Sequence, residues 1–263
     1  MERTGKAANG IKAILFDFDG TIRYSRPGGM ETFHRFVEEL GFLLTPEARR
    51  QCARWEHYYW AESDELKQDL VRFPRTEDDS AFWKNYHHKL LIASGLPEET
   101  ALHVESLFLR MQAEHQPVDH VPEQVPLMLA ALRQEGYIVG LVSNRPEPLG
   151  PLLAALGLEG AFDFTLAAGE IGVWKPAPEI FLHAARLAGV EPDEAVYVGD
   201  NYFADALGAT QAGMGAILLD PQKLFPEAVC HVISEVWDVP DLLTRLIQQA
   251  HEQVLPLVPD RLP

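Results

Sequence analysis

Apart from Lys12, residues 11–16 are all apolar, and the run stops at Asp17. An apolar run of that length, with no alternation, predicts a strand buried on both faces. From about residue 23 to about residue 117 the period changes, and apolar positions recur at helical spacing. Phe33, Phe36, Val37 and Leu40 share one face of a first helix. Thr45-Pro46-Glu47 supplies an N-cap, a proline at the first helical position and an acidic first turn. The helix it opens is expected to continue past Trp60 towards Leu70. Residues 78–93 predict a third helix, closed by Gly95, and Pro97-Glu98-Glu99 starts a fourth that runs to about His115.

Beyond Val121, short apolar runs alternate with amphipathic stretches. Strands are expected over residues 137–142, 164–167, 195–198, 216–219 and 232–233, and helices over 123–135, 148–156, 177–188, 203–212 and 239–249. This alternation predicts an α/β fold with a doubly wound, mostly parallel sheet. Strand 11–16 joins that sheet only if the helical stretch is an insertion. The expected division is therefore a core of residues 1–22 and 121–263 with a four-helix cap over 23–120. The cap leaves the core beside Asp17 and should sit above the carboxyl edge of the sheet, where such folds bind ligands.

Composition narrows the partners. The 263 residues are 47% hydrophobic and carry a formal net charge of −17. No broad basic surface is available for nucleic acid, and adhesion to an anionic membrane is not expected. An anionic substrate would be repelled globally, so its site needs local positive groups or a divalent cation. Cys52 and Cys230 are the two cysteines. A disulfide framework is not expected, which fits a reducing compartment. Residues 1–12 hold no apolar leader, and no run approaches membrane-spanning length. The chain is read as soluble and cytoplasmic, a monomer or homodimer, with no role assigned to the proline-rich tail from His251.

The chemistry begins at Asp17-Phe18-Asp19-Gly20-Thr21. Carboxylates two residues apart at a strand end point to the same side, and their repulsion needs a metal ion or a shared proton to offset it. Gly20 lets the backbone leave the strand, and Thr21 adds a hydroxyl that can orient a carboxylate. Three further polar segments fall at strand ends or a helix start: Ser143-Asn144, Lys175-Pro176, and Gly199-Asp200 through Asp205.

These four segments, in this order, resemble the motifs of the haloacid dehalogenase superfamily, in the branch with a helical cap after the first motif. The resemblance implies Mg²⁺-dependent transfer of a phosphoryl group. Asp17 would be the nucleophile that forms an aspartyl-phosphate, and Asp19 the general acid and base. Asp17, Asp200 and the backbone carbonyl of Asp19 would hold the metal, with Asp205 and Thr21 in support. Gly20, Ser143, Asn144 and Lys175 would bind the substrate phosphate, and Lys175 would also neutralise developing charge. An aspartate at position 19 favours an oxygen leaving group, which needs a proton, over halide or phosphonate chemistry. The expected function is a phosphatase acting on a small phosphorylated metabolite. The alternatives are a sugar-phosphate mutase and a non-catalytic binding protein on the same fold.

The cap is less specific. Trp55, His57, Tyr58, Tyr59 and Trp60 are read as packing between cap helices, with a stacking surface for a substrate as the rival reading. His87 and His88 are expected on a helix surface. Arg23, Arg26 and Arg145 flank the first two motifs within reach of the cleft.

Overall fold

The computed structural model describes residues 10–254. Residues 1–9, where no apolar leader is expected, and 255–263, the last part of the proline-rich tail, lie outside the described residues. Strand β1 (Ala13–Phe16) is completely buried. Its alternation sends Ala13 and Leu15 into one apolar layer and Ile14 and Phe16 into the other. The chain then runs through a short strand β2 (Tyr24–Arg26) into helices α1 (Gly29–Glu39), α2 (Pro46–Trp60), α3 (Asp64–Arg72), α4 (Ser80–Ala93) and α5 (Val104–Glu114), and returns along β3 (Val118–His120). The rest alternates: α6 (Gln124–Gln134), β4 (Ile138–Ser143), α7 (Gly150–Ala155), β5 (Phe164–Ala167), α8 (Ala168–Ile171), α9 (Pro178–Ala188), β6 (Ala195–Gly199), α10 (Gly208–Gln211), β7 (Gly215–Leu219), β8 (His231–Ile233) and α11 (Val239–Val254).

Six strands form one parallel sheet in the order β5-β4-β1-β6-β7-β8. Phe16 is level with Leu141 on one side and Val198 on the other. The residues just beyond them, Asp17, Ser143 and Asp200, therefore leave the sheet at one edge. Val125, Leu129 and Leu132 of α6 and Leu242 and Leu243 of α11 cover one face. Ile180, Phe181 and Ala184 of α9 and Ala209 of α10 cover the other. Truncating a side chain such as Phe16 to alanine in such a layer costs about 3–5 kcal/mol. No helix among the described residues is long and apolar enough to cross a membrane.

The inserted helices have a core of their own, including Phe33, Phe36, Cys52, Tyr59, Phe82 and Leu107. They number five rather than four, because the helix expected from Thr45 towards Leu70 is divided. Glu62 takes a left-handed conformation (φ 52°). Ser63 then caps a new helix, its hydroxyl accepting from Leu66 N at 3.1 Å. β2 and β3, which pair antiparallel where the chain enters and leaves the helices, are three residues each and too short for any periodicity to reveal. Two further corrections concern helix character and burial. The helix expected over 203–212 starts as a π-helical turn (Tyr202–Leu207) before becoming α10. His87 is not on a surface: it is 5% exposed and stacks on Phe33, with ring centroids 5.4 Å apart.

Candidate active site

Three strand ends and one loop converge on Lys175. It is 2% exposed, yet its ammonium has three acceptors for its three hydrogens: Asp17 Oδ1 at 2.5 Å, Asp205 Oδ1 at 2.7 Å and the Tyr197 hydroxyl at 3.0 Å. Tyr197, on β6, donates in turn to the carbonyl of Val142 at 2.9 Å. Asn144 fixes the lysine backbone from both sides. Its Nδ2 donates to the Lys175 carbonyl at 2.9 Å, and its Oδ1 accepts from Lys175 N at 2.7 Å. Burial alone would lower the lysine pKa, but Asp17, Asp205 and Tyr197 reverse that and hold the ammonium protonated.

The carboxylates are crowded. Oxygens of Asp17, Asp200 and Asp205 all lie within 4.8 Å of one another. Burial pushes Asp17 up to about 7, Lys175 opposes that shift, and Asp205 adds to it. Asp200 is raised well above the usual carboxylate range by burial and by repulsion from Asp17 and Asp205. Three carboxylates against one ammonium leave two formal negative charges, the complement of a divalent cation. Oxygen donors at this spacing suit a hard ion such as Mg²⁺. Room is kept for the Asp200 carboxylate as well. Gly20 sits at φ 88°, and a β-carbon there would lie 2.6 Å from Cγ of Asp200. The donor set fits the ion.

Asp19 is held differently. Arg145 grips it with both branches, Nε to Oδ2 at 2.7 Å and Nη2 to Oδ1 at 2.8 Å. Arg23 adds a third bond, Nη1 to Oδ1 at 2.9 Å. Arg23 also donates from Nε to Asp119 Oδ1 at 2.8 Å, so the strand entering the helices is tied to the strand leaving them through the Asp19 partner. The Asp19 carboxylate thus stands apart from the acidic cluster with its charge matched by arginine.

Most expected site residues meet at one cavity of about 410 Å³. Asp17, Asp19, Ser143, Asn144, Lys175, Asp200 and Asp205 line it from the sheet edge. Thr21 is buried behind, its hydroxyl 3.5 Å from Asp17 Oδ2. Gly20 departs from expectation. Its amide donates to the carbonyl of Arg23 at 2.8 Å, so in this arrangement it supplies room beside Asp200 rather than a donor for phosphate. Asp205 has both oxygens engaged, by Lys175 and by the amide of Asn201 at 2.9 Å. Of the flanking arginines, Arg23 and Arg145 reach Asp19.

Several contributors escaped the sequence reading. Tyr197 sits inside an apolar run that reads as ordinary strand core. Glu56 lines the same cavity from α2 and carried no signal of its own, while His57 and Trp60, favoured above as cap packing, line it too and so meet the rival reading of a surface facing the substrate. Asn201 caps the π-helical turn, its side chain accepting from Phe203 N and Ala204 N, and it donates to the carbonyl of His57 at 2.9 Å.

A family model for haloacid dehalogenase-like hydrolases matches residues 11–213. A glyceraldehyde 3-phosphate phosphatase of Methanopyrus kandleri is 32% identical over 208 residues, 78% of this chain and 82% of its own. A phosphoserine phosphatase of Thermus thermophilus is 30% identical over 233 residues, 82% of this chain and 91% of its own. The solved structure of a phosphatase from Thermococcus onnurineus aligns over 89% of this chain and 98% of its own, with a TM-score of 0.53 at 27% identity.

Proposed function

This chain belongs to the haloacid dehalogenase-like hydrolases, and on that premise we propose that it is a Mg²⁺-dependent phosphatase that hydrolyses a small phosphomonoester through an aspartyl-phosphate on Asp17. The observation that carries the reading is the buried Asp17–Lys175 pair with Asp200 and Asp205 beside it and Asp19 held at the same sheet edge. An acidic cluster with an unbalanced charge of two has no structural use in a soluble core.

Asp17 attacks phosphorus as the bond to the leaving oxygen breaks. Asp19 gives that oxygen its proton, then takes one from the water that attacks the aspartyl-phosphate, and Asp17 is regenerated. Arg145 and Arg23 fix the direction of the Asp19 carboxylate and must yield a bond when it carries the proton. Lys175 acts through its charge, since its hydrogens are already committed to Asp17, Asp205 and Tyr197. Ser143 and the Asn144 amide receive phosphoryl oxygens. Mg²⁺, held by Asp17, Asp200 and the Asp19 carbonyl, would keep Asp17 ionised and neutralise charge on the phosphoryl group. Residues 23–120 form a cap whose closure excludes bulk water. A reducing, cytoplasmic setting suits the unpaired Cys52 and Cys230.

Phosphate release across a panel of sugar, nucleotide and carboxylic-acid phosphates, with Mg²⁺ and with chelator, tests the reading. Turnover should require the metal, and Asp17→Asn should lose at least about a thousandfold while keeping the native circular dichroism spectrum. A folded Asp17→Asn enzyme with undiminished turnover overturns the nucleophile assignment.

A further inference from the structure

A second cavity of about 460 Å³ lies inside the cap, against the active-site cavity. Glu56 and Trp60 line both. These two residues are tied together at the boundary. Trp60 Nε1 donates to the Tyr86 hydroxyl at 3.1 Å, and that hydroxyl donates to Glu56 Oε1 at 2.7 Å. Beyond them the walls are Met30, Phe33, Trp83, Phe108 and Met111, with Tyr86. A chamber of this size with apolar walls and a few placed polar groups has the character of a ligand site.

The polar groups restrict what enters. Glu56 and Asp79 are the acids that line the chamber, and no lysine or arginine lines it among the described residues. Arg75 and Lys84 rest on the Trp83 and Phe108 rings without lining the space. Asp79 is already engaged by Trp83 Nε1 at 2.8 Å. His87 is 5% exposed, its Nδ1 has no partner, and burial keeps its ring neutral. A carboxylate would therefore meet two acids and no lysine or arginine there, at a high desolvation penalty. An uncharged ring would meet aromatic walls, with Glu56 and His87 available to a donor on its rim.

We propose that this chamber is the leaving-group subsite of the active site and that it takes an uncharged aromatic group, so that the preferred substrates are phosphomonoesters of alcohols bearing an aromatic ring rather than short carboxylated phosphates. The inference rests on the phosphatase reading above. The cavity at Asp17 and Lys175 receives the phosphoryl group, and Glu56 and Trp60 form the passage to the chamber that receives the rest.

The test compares 2-phenylethyl phosphate with ethyl phosphate, whose leaving alcohols are similar in acidity, and with phosphoglycolate and phosphoserine, all with Mg²⁺. Burial of the ring should raise kcat/KM for 2-phenylethyl phosphate at least about tenfold over ethyl phosphate. The two carboxylated esters should fall below ethyl phosphate. Met111→Trp, which fills the chamber, should bring the phenylethyl-to-ethyl ratio towards one. Gln112→Trp, on the exposed edge of the same chamber, repeats the measurement should Met111→Trp not fold. A wild-type ratio near one, or a ratio unmoved by a folded filling variant, overturns the subsite while phosphate release stands. Absence of Mg²⁺-dependent release from any of the four esters overturns the phosphatase reading itself, and the subsite with it.

Discussion

The carboxyl edge of the sheet and the interior of the cap face each other across Glu56 and Trp60, and they are built from opposite materials. At the edge, Asp17, Lys175 and Asp205 are all buried in direct ion pairs, and the acidities of Asp17 and Lys175 are set by burial and by the charged and polar groups beside them. In the cap, Trp60, Trp83 and Tyr86 touch mainly through ring edges and faces, with centroids 5.2–6.2 Å apart. A buried charge cluster is unstable unless it is used, so its composition indicates chemistry. An aromatic cluster is stable for its own sake, so it indicates a function only once a space is found inside it. The edge therefore specifies a reaction, and the cap a size and polarity of substrate.

Lys175→Met is the sharpest way to break that contrast. Methionine keeps the length of the side chain and removes the charge that faces Asp17 and Asp205. Losing one partner of a buried pair costs about 3–5 kcal/mol, and losing a charge aimed at the transferring group costs about a hundredfold or more in rate. A thermal melt and a phosphate-release assay on the same preparation check both. A variant that melts and turns over like the wild type would show that the edge is ordinary packing, no different in kind from the cap.

That same distinction explains what was legible in the chain. Asp17, Ser143 and Asp200 stand where apolar strand runs stop, and Lys175 stands just before a helix start, places where a polar residue has no packing reason to be. The order of the sheet was not legible, and the structure puts β1 between β4 and β6, where those ends meet. Tyr197 was hidden because its ring packs like any strand residue and only its hydroxyl does chemistry. The Arg145 grip on Asp19 depends on a bond across 126 residues of sequence, which no local pattern encodes. The break at Glu62 leaves no clear mark in the sequence, because Ser63-Asp64-Glu65 reads equally well as a helix interior and a helix start. In the cap, the spacing that places Trp60 and Tyr86 on inward faces is the same whether they meet another side chain or a cavity.

Acid should separate the two regions, with opposite signs. Burial pushes His87 down to about 4, and burial with the nearby Arg49 charge does the same to His34. Both belong to the cap. A histidine depressed on folding is neutral in both states above its unfolded value near 6.5, so its contribution is complete there and is lost as pH falls from about 6.5 towards 4. The loss is on the order of 3 kcal/mol per histidine at the acid end. Asp17, raised to about 7 in the metal-free protein, works the other way: folding favours its protonated form, so acidification relieves the crowded edge. Hydrogen exchange at pH 5 and pH 7.5 without Mg²⁺ should show protection falling in α1 and α4 while β1 and β6 hold. His87→Gln should flatten the response of α4. Uniform loss across both regions would mean that they do not answer to separate electrostatics.

The smallest effect expected lies where the regions touch. Arg54 of α2 reaches across to the core loop after β7, where it bonds the carbonyl of Leu224 and the carboxylate of Glu227, and its guanidinium lies 4.8 Å from the centre of the Phe225 ring. Arg50, four residues earlier, donates to the Lys223 carbonyl at 2.5 Å. Both contacts are largely open to solvent, and exposed pairs contribute little and are screened by salt. If they hold the cap down over the edge, Arg54→Ala should raise KM by about two- to threefold with little change in kcat. Added salt should weaken the wild type towards the variant while leaving the variant nearly unaffected. Steady-state kinetics at 0.05 M and 0.5 M salt give the comparison. Equal KM at both salt concentrations in the wild type would leave the Asn201–His57 hydrogen bond and the apolar contacts of His57 and Tyr58 with Phe225 and Phe203 as what joins the two regions.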